Sequence, residues 1–372
     1  MRANLNKWWL LPLGVLATFA LIASSIVIFG PSFVGRSPDD EVAQRADSRS
    51  AADCSGDSAS DYACYQKRYQ ALVQDSGVDA AFTELKDEYE NNSFVKGNCH
   101  QLTHVIGRAA AGIYGEDIAT TYSHGDNFCW SGYYHGAMED AVAKIGPEKI
   151  LDEANTICAD LNGHQRQSFY HYNCAHGLGH GFMEIQDHEL FDSLRTCDTL
   201  TDDWERTTCY GGVFMENIIA QESGSYTSKY LKADHPLYPC TDVEYQYKNE
   251  CYKVQTSYAL HTTTGGNDWL KVFDLCSTVE DDFRGTCYQS LGRDISGLRI
   301  SDVSIYKDIC MLGPDDEARV NCTLGVAKDL IAYYNSDVQA KALCETFDEP
   351  NNAAFRNLCL ETVEERYKQF EA

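Results

Sequence analysis

The order of apolar and polar residues divides the chain into three parts. An uncharged apolar run extends from Trp8 to Gly35, and the residues that follow it, up to position 53, include no aromatic residue. From Cys54 onward, apolar residues recur at helical spacing in short segments that are separated by polar, often acidic turns. The pattern predicts a membrane-spanning segment, a flexible connection and an all-α domain.

The apolar run has the length of a transmembrane helix. Residues 8–30 suffice to cross about 30 Å of hydrocarbon. Arg2 and Lys7 precede them, so the positive-inside tendency keeps the short N-terminus in the cytoplasm and exports the remainder. A signal peptide cleaved near Ala23 is the alternative, but the run exceeds the roughly 7 to 15 apolar residues of a signal peptide. We therefore expect a single-pass protein of the cell membrane with four parts: a cytoplasmic tail (1–7), a transmembrane anchor (8–30), a flexible linker (31–53) and an extracytoplasmic domain (54–372).

The cysteines support export. All sixteen lie after the apolar run. An even number of cysteines in an exported chain indicates a framework of disulfides. No Cys-x-x-Cys sequence occurs, which argues against zinc ribbons, thioredoxin-like redox motifs and haem attachment of the c type.

Nine of the cysteines recur at intervals of 30 to 45 residues. Such a period is typical of stacked supersecondary units rather than of one globular core. A basic residue precedes most of these cysteines by three positions, and His171 takes that place before Cys174. The series consists of Cys64, Cys99, Cys129, Cys174, Cys209, Cys251, Cys287, Cys322 and Cys359.

Six further cysteines each stand 11 to 16 residues before a member of this series. Between the two, one apolar segment ends, an acidic turn follows and the next segment begins, so a disulfide would staple the turn of a helical hairpin. Each short loop would contribute roughly 3 kcal/mol of stability through chain entropy. Cys54 and Cys64 fit the same rule, which leaves Cys99 and Cys129 to each other. The predicted pairs are Cys54–Cys64, Cys99–Cys129, Cys158–Cys174, Cys197–Cys209, Cys240–Cys251, Cys276–Cys287, Cys310–Cys322 and Cys344–Cys359.

The stapled hairpins resemble the cysteine-rich, helical repeat proteins of the Sel1-like and tetratricopeptide kind. The resemblance lies in the period of residues 54–372 and in fragments such as Cys287-Tyr-Gln-Ser-Leu-Gly292 and Cys322-Thr-Leu-Gly325. The gap between paired cysteines is longer here, and the period is less regular. The resemblance implies an all-α, disulfide-stapled α-solenoid that follows one transmembrane helix. Proteins of that kind mostly bind other proteins, so it also implies a partner at the envelope or the cell surface.

The charge of the chain narrows the range of partners. The formal net charge is −26, with 56 acidic and 30 basic residues. Such a surface repels phosphate backbones, which argues against a nucleic-acid partner. The same surface favours cations.

The histidines indicate a possible metal site. Nine of the eleven lie between His100 and His188. If the cysteine opens the second helix of each hairpin, side chains two, six and ten positions later share one face of that helix. Three consecutive helices would then present imidazoles and carboxylates to one surface. The candidate metal ligands are His100, His104, His135, Glu139, His176, His180 and Glu184.

A histidine and a carboxylate one helical turn apart can bind a single ion, and this donor set suits zinc, iron(II) or manganese. The alternative is a structural or partner-facing cluster, because such pairs also form hydrogen bonds on helix surfaces. The later repeats that contain Cys209 and Cys287 have no histidines on this face, although a purely structural requirement would have retained them. Four glycines near the histidines indicate the close approach of a neighbouring helix or of a ligand: Gly132, Gly136, Gly177 and Gly181.

Two functional hypotheses follow from these patterns. The first is a membrane-anchored, extracytoplasmic metalloprotein, in which an open position on the ion would permit hydrolysis, with Glu139 or Glu184 as base, or oxidation if the ion is iron. The second is a non-enzymatic adaptor whose surface binds an envelope protein. Motifs of zinc proteases, serine hydrolases and phosphate-binding loops are absent from the sequence, so both hypotheses stay open at this stage.

Overall fold

The computed structural model describes residue 54 and the ranges 61–115, 118–158, 166–222, 227–263, 268–298, 302–334, 336–349 and 352–371. The predicted transmembrane anchor and linker lie outside these ranges. Among the helices within them, none is long and apolar enough to cross a membrane.

The described residues form eighteen α-helices and no β-strand, as the all-α prediction requires. The first nine helices are α1 (Tyr62–Ser76), α2 (Val78–Asn91), α3 (Ser93–Gly97), α4 (Cys99–Tyr114), α5 (Ile118–Ser123), α6 (Gly132–Ile145), α7 (Ile150–Ile157), α8 (Phe169–Ile185) and α9 (Leu190–Cys197). The others are α10 (Asp203–Glu222), α11 (Tyr245–Tyr252), α12 (Gln255–His261), α13 (Trp269–Ser277), α14 (Asp281–Ser296), α15 (Ser304–Cys310), α16 (Asp316–Tyr334), α17 (Val338–Glu345) and α18 (Ala353–Glu371).

Short and long helices alternate from α7 onward, except around α11 and α12. The short helices α7, α9, α13, α15 and α17 have 7 to 9 residues. Their long partners α8, α10, α14, α16 and α18 have 16 to 20. The long helices pack side by side in chain order, from α4 through α6 and α8 to α10, and again from α14 to α18. This packing of helical hairpins is compatible with the expected solenoid.

Eight disulfides join all sixteen cysteines, in the same pairs that the spacing predicts. The Cα atoms of the paired cysteines are 5.4 to 5.8 Å apart. Seven pairs close sequence loops of 10 to 16 residues, whereas Cys99–Cys129 spans 30. Five of the short staples each join the two consecutive helices of one hairpin, and the longer disulfide joins two neighbouring repeats.

The start of the long helices differs from the prediction. Cys174, Cys209 and Cys287 lie more than one turn inside their helices, and Cys129 precedes α6 altogether. The acidic residues assigned to the turns form the first helical turn instead, as Asp281 and Asp282 do in α14. Carboxylates at that end of a helix interact favourably with its dipole, which extends the helix backward.

Several long helices cross at glycines. In the crossing of α4 with α6, a Cβ atom on Gly136 would overlap the backbone of His104, and one on Gly107 would overlap the carbonyl of Tyr133. Since each helix offers a glycine to the other, the two backbones come into direct contact. The same reciprocal arrangement joins α8 to α10 through Gly179 and Gly212, and α14 to α16 through Gly292 and Gly325.

Helix packing also explains the glycines that flank the histidines. A Cβ atom on Gly132 would meet Thr103, one on Gly177 would lie 2.7 Å from Cβ of Met138, and one on Gly181 would lie 2.7 Å from Cβ of Val142. Of the two explanations that the sequence left open, a neighbouring helix therefore accounts for these positions.

The chain also winds back on itself. Trp130, just before α6, donates a hydrogen bond from Nε1 to Oδ1 of Asp329 in α16, at 2.9 Å. Its ring lies 5.6 Å from that of Tyr333 and 6.5 Å from that of His100, measured between centroids. A C-terminal repeat is thereby brought next to the histidine-rich repeats.

Candidate metal centre

Five imidazoles meet between three neighbouring long helices. Helix α4 contributes two, α6 one and α8 two, and the two members on α4 and on α8 are four residues apart. Because residues four apart share a face of a helix, side-by-side packing brings all five rings together. Centroids of neighbouring rings are 4.7 to 5.4 Å apart. We call these side chains the histidine cluster: His100, His104, His135, His176 and His180.

Two buried carboxylates lie beside the histidine cluster. Glu139 of α6 is 2% exposed, and Glu216 of α10 is 7% exposed. Oε1 of Glu139 is 2.8 Å from Nδ1 of His104, while its Oε2 accepts a hydrogen bond from Nε of Arg108 at 2.5 Å. Oε2 of Glu216 is 2.8 Å from Nδ1 of His180. Each carboxylate therefore orients one imidazole.

Glu184, the remaining predicted ligand, lies apart from the cluster. Its side chain is 42% exposed and meets the site only through Arg108, whose Nη2 is 3.5 Å from Oε2 of Glu184. The rotation of the helix explains this position: eight residues after His176, a side chain points about 80° away from it. The structure thus brings together six of the seven predicted ligands and leaves Glu184 at the rim.

The tautomers of His100 and His104 follow from their hydrogen bonds. Nδ1 of His100 is 2.8 Å from the backbone oxygen of Cys129, and Nδ1 of His104 is 2.8 Å from the carboxylate of Glu139. Both partners are acceptors, so each Nδ1 carries a proton, and the lone pair of the neutral ring is on Nε2. The two Nε2 atoms face each other at 3.1 Å. Two lone pairs at this distance repel unless a cation, a proton or a metal ion, lies between them.

That separation also fits two ligands of one ion. With metal–nitrogen bonds of about 2.0–2.1 Å, adjacent nitrogens are about 2.8 to 3.4 Å apart in octahedral or tetrahedral geometry. Histidines that bind metals typically donate their other N–H to a carboxylate or a backbone carbonyl, which fixes the ring. His104 and His100 have one partner of each kind.

Other ring nitrogens in the cluster have no protein partner. Among the described residues, neither ring nitrogen of His135 forms a hydrogen bond, and Nε2 of His180 forms none either. These two residues are 3% and 0% exposed. A buried polar atom without a hydrogen-bond partner lowers the free energy of unfolding by about 1 to 3 kcal/mol. The unpaired nitrogens therefore make the folded protein less stable.

His171 shows how a structural histidine differs. It is also buried, but its Nδ1 accepts from the backbone N–H of Gln167 at 2.8 Å and its Nε2 is 2.7 Å from Oε1 of Glu205. Arg284, which stands three residues before Cys287 as His171 does before Cys174, contacts Glu317 in the next repeat in the same way. His171 therefore links two neighbouring repeats, as the basic residue at the equivalent position does elsewhere.

Burial keeps four of the five imidazoles in the form that binds metals. Loss of hydration lowers the pKa of His100 and of His176 to about 3, and the pKa values of His135 and His180 well below their ordinary value. Neutral imidazoles are the species that coordinate metal ions.

The two carboxylates respond differently to burial. Burial raises the pKa of Glu139, but the guanidinium of Arg108 and the imidazole of His104 outweigh it and hold the pKa well below the ordinary range. Burial, with the charge of Glu139, raises the pKa of Glu216 well above its ordinary value. Glu139 is therefore the fixed negative charge of the site.

These shifts predict acid lability of the protein in the presence of a chelator. Histidines in the unfolded chain titrate near pH 6.5, so below that pH the unfolded state binds protons that the buried histidines of the folded state do not bind. The free energy of unfolding is therefore highest above about pH 6.5 and falls as the pH decreases toward 3. At pH 5, His100 and His176 should each remove about 2 kcal/mol from the free energy of unfolding, measured by urea denaturation in EDTA. The variant His100→Gln with His176→Gln should lose less stability between pH 7 and 5, and an equal loss contradicts this origin.

A strained turn precedes α6. Cys129, Trp130 and Ser131 have φ angles of 54°, 55° and 62°, a region that costs L-residues about 1 kcal/mol or more each. The disulfide to Cys99 and the hydrogen bond from His100 both hold this turn at Cys129. The strain directs a carbonyl oxygen at a candidate ligand, and backbone strain of this kind concentrates at functional sites.

The cluster divides into overlapping sets of potential ligands. Within each set, one atom from each of three residues lies within 4.8 Å of the others. The sets found among the described residues are His100, His104 and His135; His135, His176 and His180; and His104, Glu139 and His180.

The sequence pattern missed two members of the site. Glu216 lies seven residues after Cys209, and the stripe at plus two, six and ten omits it. The sequence does hold a signal for Glu216, because the pair Met215-Glu216 repeats the Met-Glu pairs that end at Glu139 and Glu184. Met215-Glu216 lies about one helical turn closer to its cysteine than those two pairs lie to theirs. Arg108 continues the four-residue spacing of His100 and His104 along α4, but this spacing by itself does not indicate a contact with Glu139.

Comparisons of the chain with protein-family models, with curated proteins and with solved structures find no match. The part of the resemblance to Sel1-like proteins that the structure supports is an all-helical, disulfide-rich architecture. Fold and site together define an all-α, disulfide-rich protein with a buried cluster of histidines and carboxylates that can hold a metal ion.

Proposed function

We propose that this protein is a membrane-anchored, extracytoplasmic metalloprotein that binds a divalent ion within the histidine cluster. The observation that carries the proposal is the 3.1 Å separation of Nε2 of His100 from Nε2 of His104, with each Nδ1 occupied by an acceptor. His135, with two unpaired nitrogens beside both rings, supplies a third ligand.

The donor set favours particular ions. Imidazole suits zinc and iron(II), whereas manganese prefers oxygen ligands, so the abundance of nitrogen donors supports zinc or iron over manganese. Structural zinc sites are mostly rich in thiolates, but every cysteine here is in a disulfide. A set of three imidazoles is instead typical of catalytic ions, which keep one position open.

The open position indicates the reaction class. An ion held by three imidazoles would activate water for hydrolysis or, as iron, support oxidation. Both oxygens of Glu139 are engaged, by His104 and Arg108, so this residue orients a ligand rather than serving as the base. His100 is the most accessible imidazole of the cluster, which places the entrance next to Trp130.

Two features support the location. The apolar segment 8–30 follows two basic residues, which favours an anchor with a cytoplasmic N-terminus. Eight disulfides with no unpaired cysteine suit an oxidising compartment outside the cytoplasm. We therefore place residues 54–372 on the outer side of the cell membrane.

Elemental analysis of the full-length chain, exported by an oxidising host and washed free of loose ions, tests the proposal. The wild-type protein should retain zinc or iron in stoichiometric amount, because the ligand rings are positioned before the ion binds. The variant His100→Ala with His104→Ala should lose at least tenfold in affinity, the lower bound seen even when only a residue supporting a metal ligand is removed. His261→Ala, which removes an exposed histidine, should bind like the wild type. A wild-type protein that folds with all its disulfides and takes up no metal would overturn the proposal and favour the adaptor.

A further inference from the structure

Among the described residues, His135 is the one member common to the two sets of potential ligands that consist of histidines alone. It belongs to the set with His100 and His104 and also to the set with His176 and His180. Its ring centroid is 5.4 Å from those of the first two and 4.8 Å from those of the last two. It therefore lies between two groups of potential ligands on α4 and α8.

The hydrogen bonds separate His135 from its neighbours. His100, His104 and His180 each have a hydrogen-bond partner at Nδ1, so each has only Nε2 left for an ion. His135 has no hydrogen-bond partner at either nitrogen among the described residues, although it is 3% exposed. A neutral imidazole always carries one N–H, and burying that donor without an acceptor is costly. Occupation of one nitrogen by an ion leaves this cost in place, whereas occupation of both removes it.

We propose that the cluster holds two divalent ions and that His135 bridges them, with one ring nitrogen bound to each. The proposal rests on the metal-binding function proposed above. One ion is bound by His100 and His104 through Nε2, and the other by His180 through Nε2 together with His176. The first ion binds the lone pair of one ring nitrogen of His135. When the second ion binds, His135 loses its remaining ring proton to solvent and becomes an imidazolate, and one nitrogen–metal bond replaces the nitrogen–hydrogen bond.

The third set of ligand atoms has a different role. It comprises His104, Glu139 and His180. Nδ1 of His104 is 2.8 Å from Oε1 of Glu139, and Nδ1 of His180 is 3.7 Å from the same oxygen. These are the nitrogens opposite the proposed ion-binding ones. Glu139 therefore supplies negative charge between the two ion sites and orients His104, while Glu216 orients His180.

The two sites come from different pairs of helices. One requires α4 and α6, the other α6 and α8, and α6 contributes the shared ligand to both. Substitutions on α4 and α8 should therefore remove different ions. Each variant keeps the other set of three ligands complete.

Titration of the chelated, full-length protein with zinc tests the number of sites. Two zinc ions per chain are expected for the wild type, and one each for His100→Ala and for His176→Ala. His261→Ala should bind two. One ion in the wild-type protein would refute the bridge but leave the proposed function intact, whereas no ion at all refutes both.

Copper(II) as a probe tests the bridge itself. Two copper(II) ions joined through one imidazolate couple magnetically, so the fully loaded protein should lose most of its paramagnetic resonance signal relative to the copper released by acid. Signal should return in His176→Ala, which holds a single ion. Two bound copper ions with an undiminished signal would mean separate sites and would refute the bridge. Unchanged disulfides and helical circular dichroism establish that each variant is folded.

Discussion

The variant His135→Leu should be more stable than the wild type when both are free of metal. The wild-type ring keeps two nitrogens buried without protein partners, and replacing it with an apolar side chain of similar size removes that cost. We expect a gain of about 1 to 3 kcal/mol in the free energy of unfolding, measured by urea denaturation in EDTA. With zinc the order should reverse, because ions that bind only the folded state stabilise the wild type.

His171→Leu is the matched control. Its nitrogens are paired with Gln167 and Glu205, so the same substitution leaves the backbone N–H of Gln167 and the half-buried carboxylate of Glu205 without this partner. This variant should lose about 1 to 3 kcal/mol whether or not zinc is present. If both variants lose stability equally in EDTA, the cluster is structural and His135 contributes to the fold as His171 does.

Gly136→Ala should prevent folding or destabilise the protein by about 3 kcal/mol or more, the upper range of overpacking. The added methyl group would overlap backbone atoms of His104, which cannot move aside as a side chain does. The helices α4 and α6 would have to separate, and the ligands on them would separate as well. Thermal unfolding and zinc content, measured on the same preparation, should therefore fall together.

Gly112→Ala provides the comparison within the same helix pair. Gly112 lies in α4, and a Cβ atom there would have no other atom within 4 Å. Alanine at this position should raise the stability by about 0.5 to 1 kcal/mol through helix propensity and leave zinc content unchanged. Equal stability of the Gly136→Ala and Gly112→Ala variants would disprove the contact between the two backbones.

The repeats are of two kinds, one with histidines and one without, and comparing them separates what the fold requires from what the site adds. In the N-terminal repeats, the facing sides of the long helices α4, α6 and α8 hold the imidazoles, and both ring nitrogens of His135 are buried without a hydrogen-bond partner among the described residues. In α14 and α16, the glycine crossing persists through Gly292 and Gly325 without histidines. The crossing is thus a property of the fold, whereas the histidine cluster is an addition that costs stability, as functional sites commonly do.

The disulfide Cys99–Cys129 connects the scaffold with the histidine cluster. Unlike the seven short staples, it joins adjacent repeats, and it holds the left-handed residues at positions 129–131. The carbonyl of Cys129 in that turn accepts the hydrogen bond that fixes the tautomer of His100. A structural bond therefore positions a ligand.

The sequence by itself determined the features that depend on short distances along the chain. Helical spacing predicted the all-α domain, the intervals between cysteines predicted the eight pairs, and the spacing of four residues predicted that His100 and His104, or His176 and His180, share a face. These relations follow from the geometry of one helix or one hairpin, which 3.6 residues per turn and a short loop define locally.

Only the tertiary structure decided which side chains meet between helices. It brought Glu216 to His180, left Glu184 at the rim beside Arg108, and placed His135 between two sets of ligands. The relative rotation and offset of neighbouring helices set these contacts, and both are settled by packing between distant residues, above all where glycines let two backbones touch. No local period encodes that rotation, so the residues of the site could be proposed from the sequence, but their division between ligands and orienting groups could not.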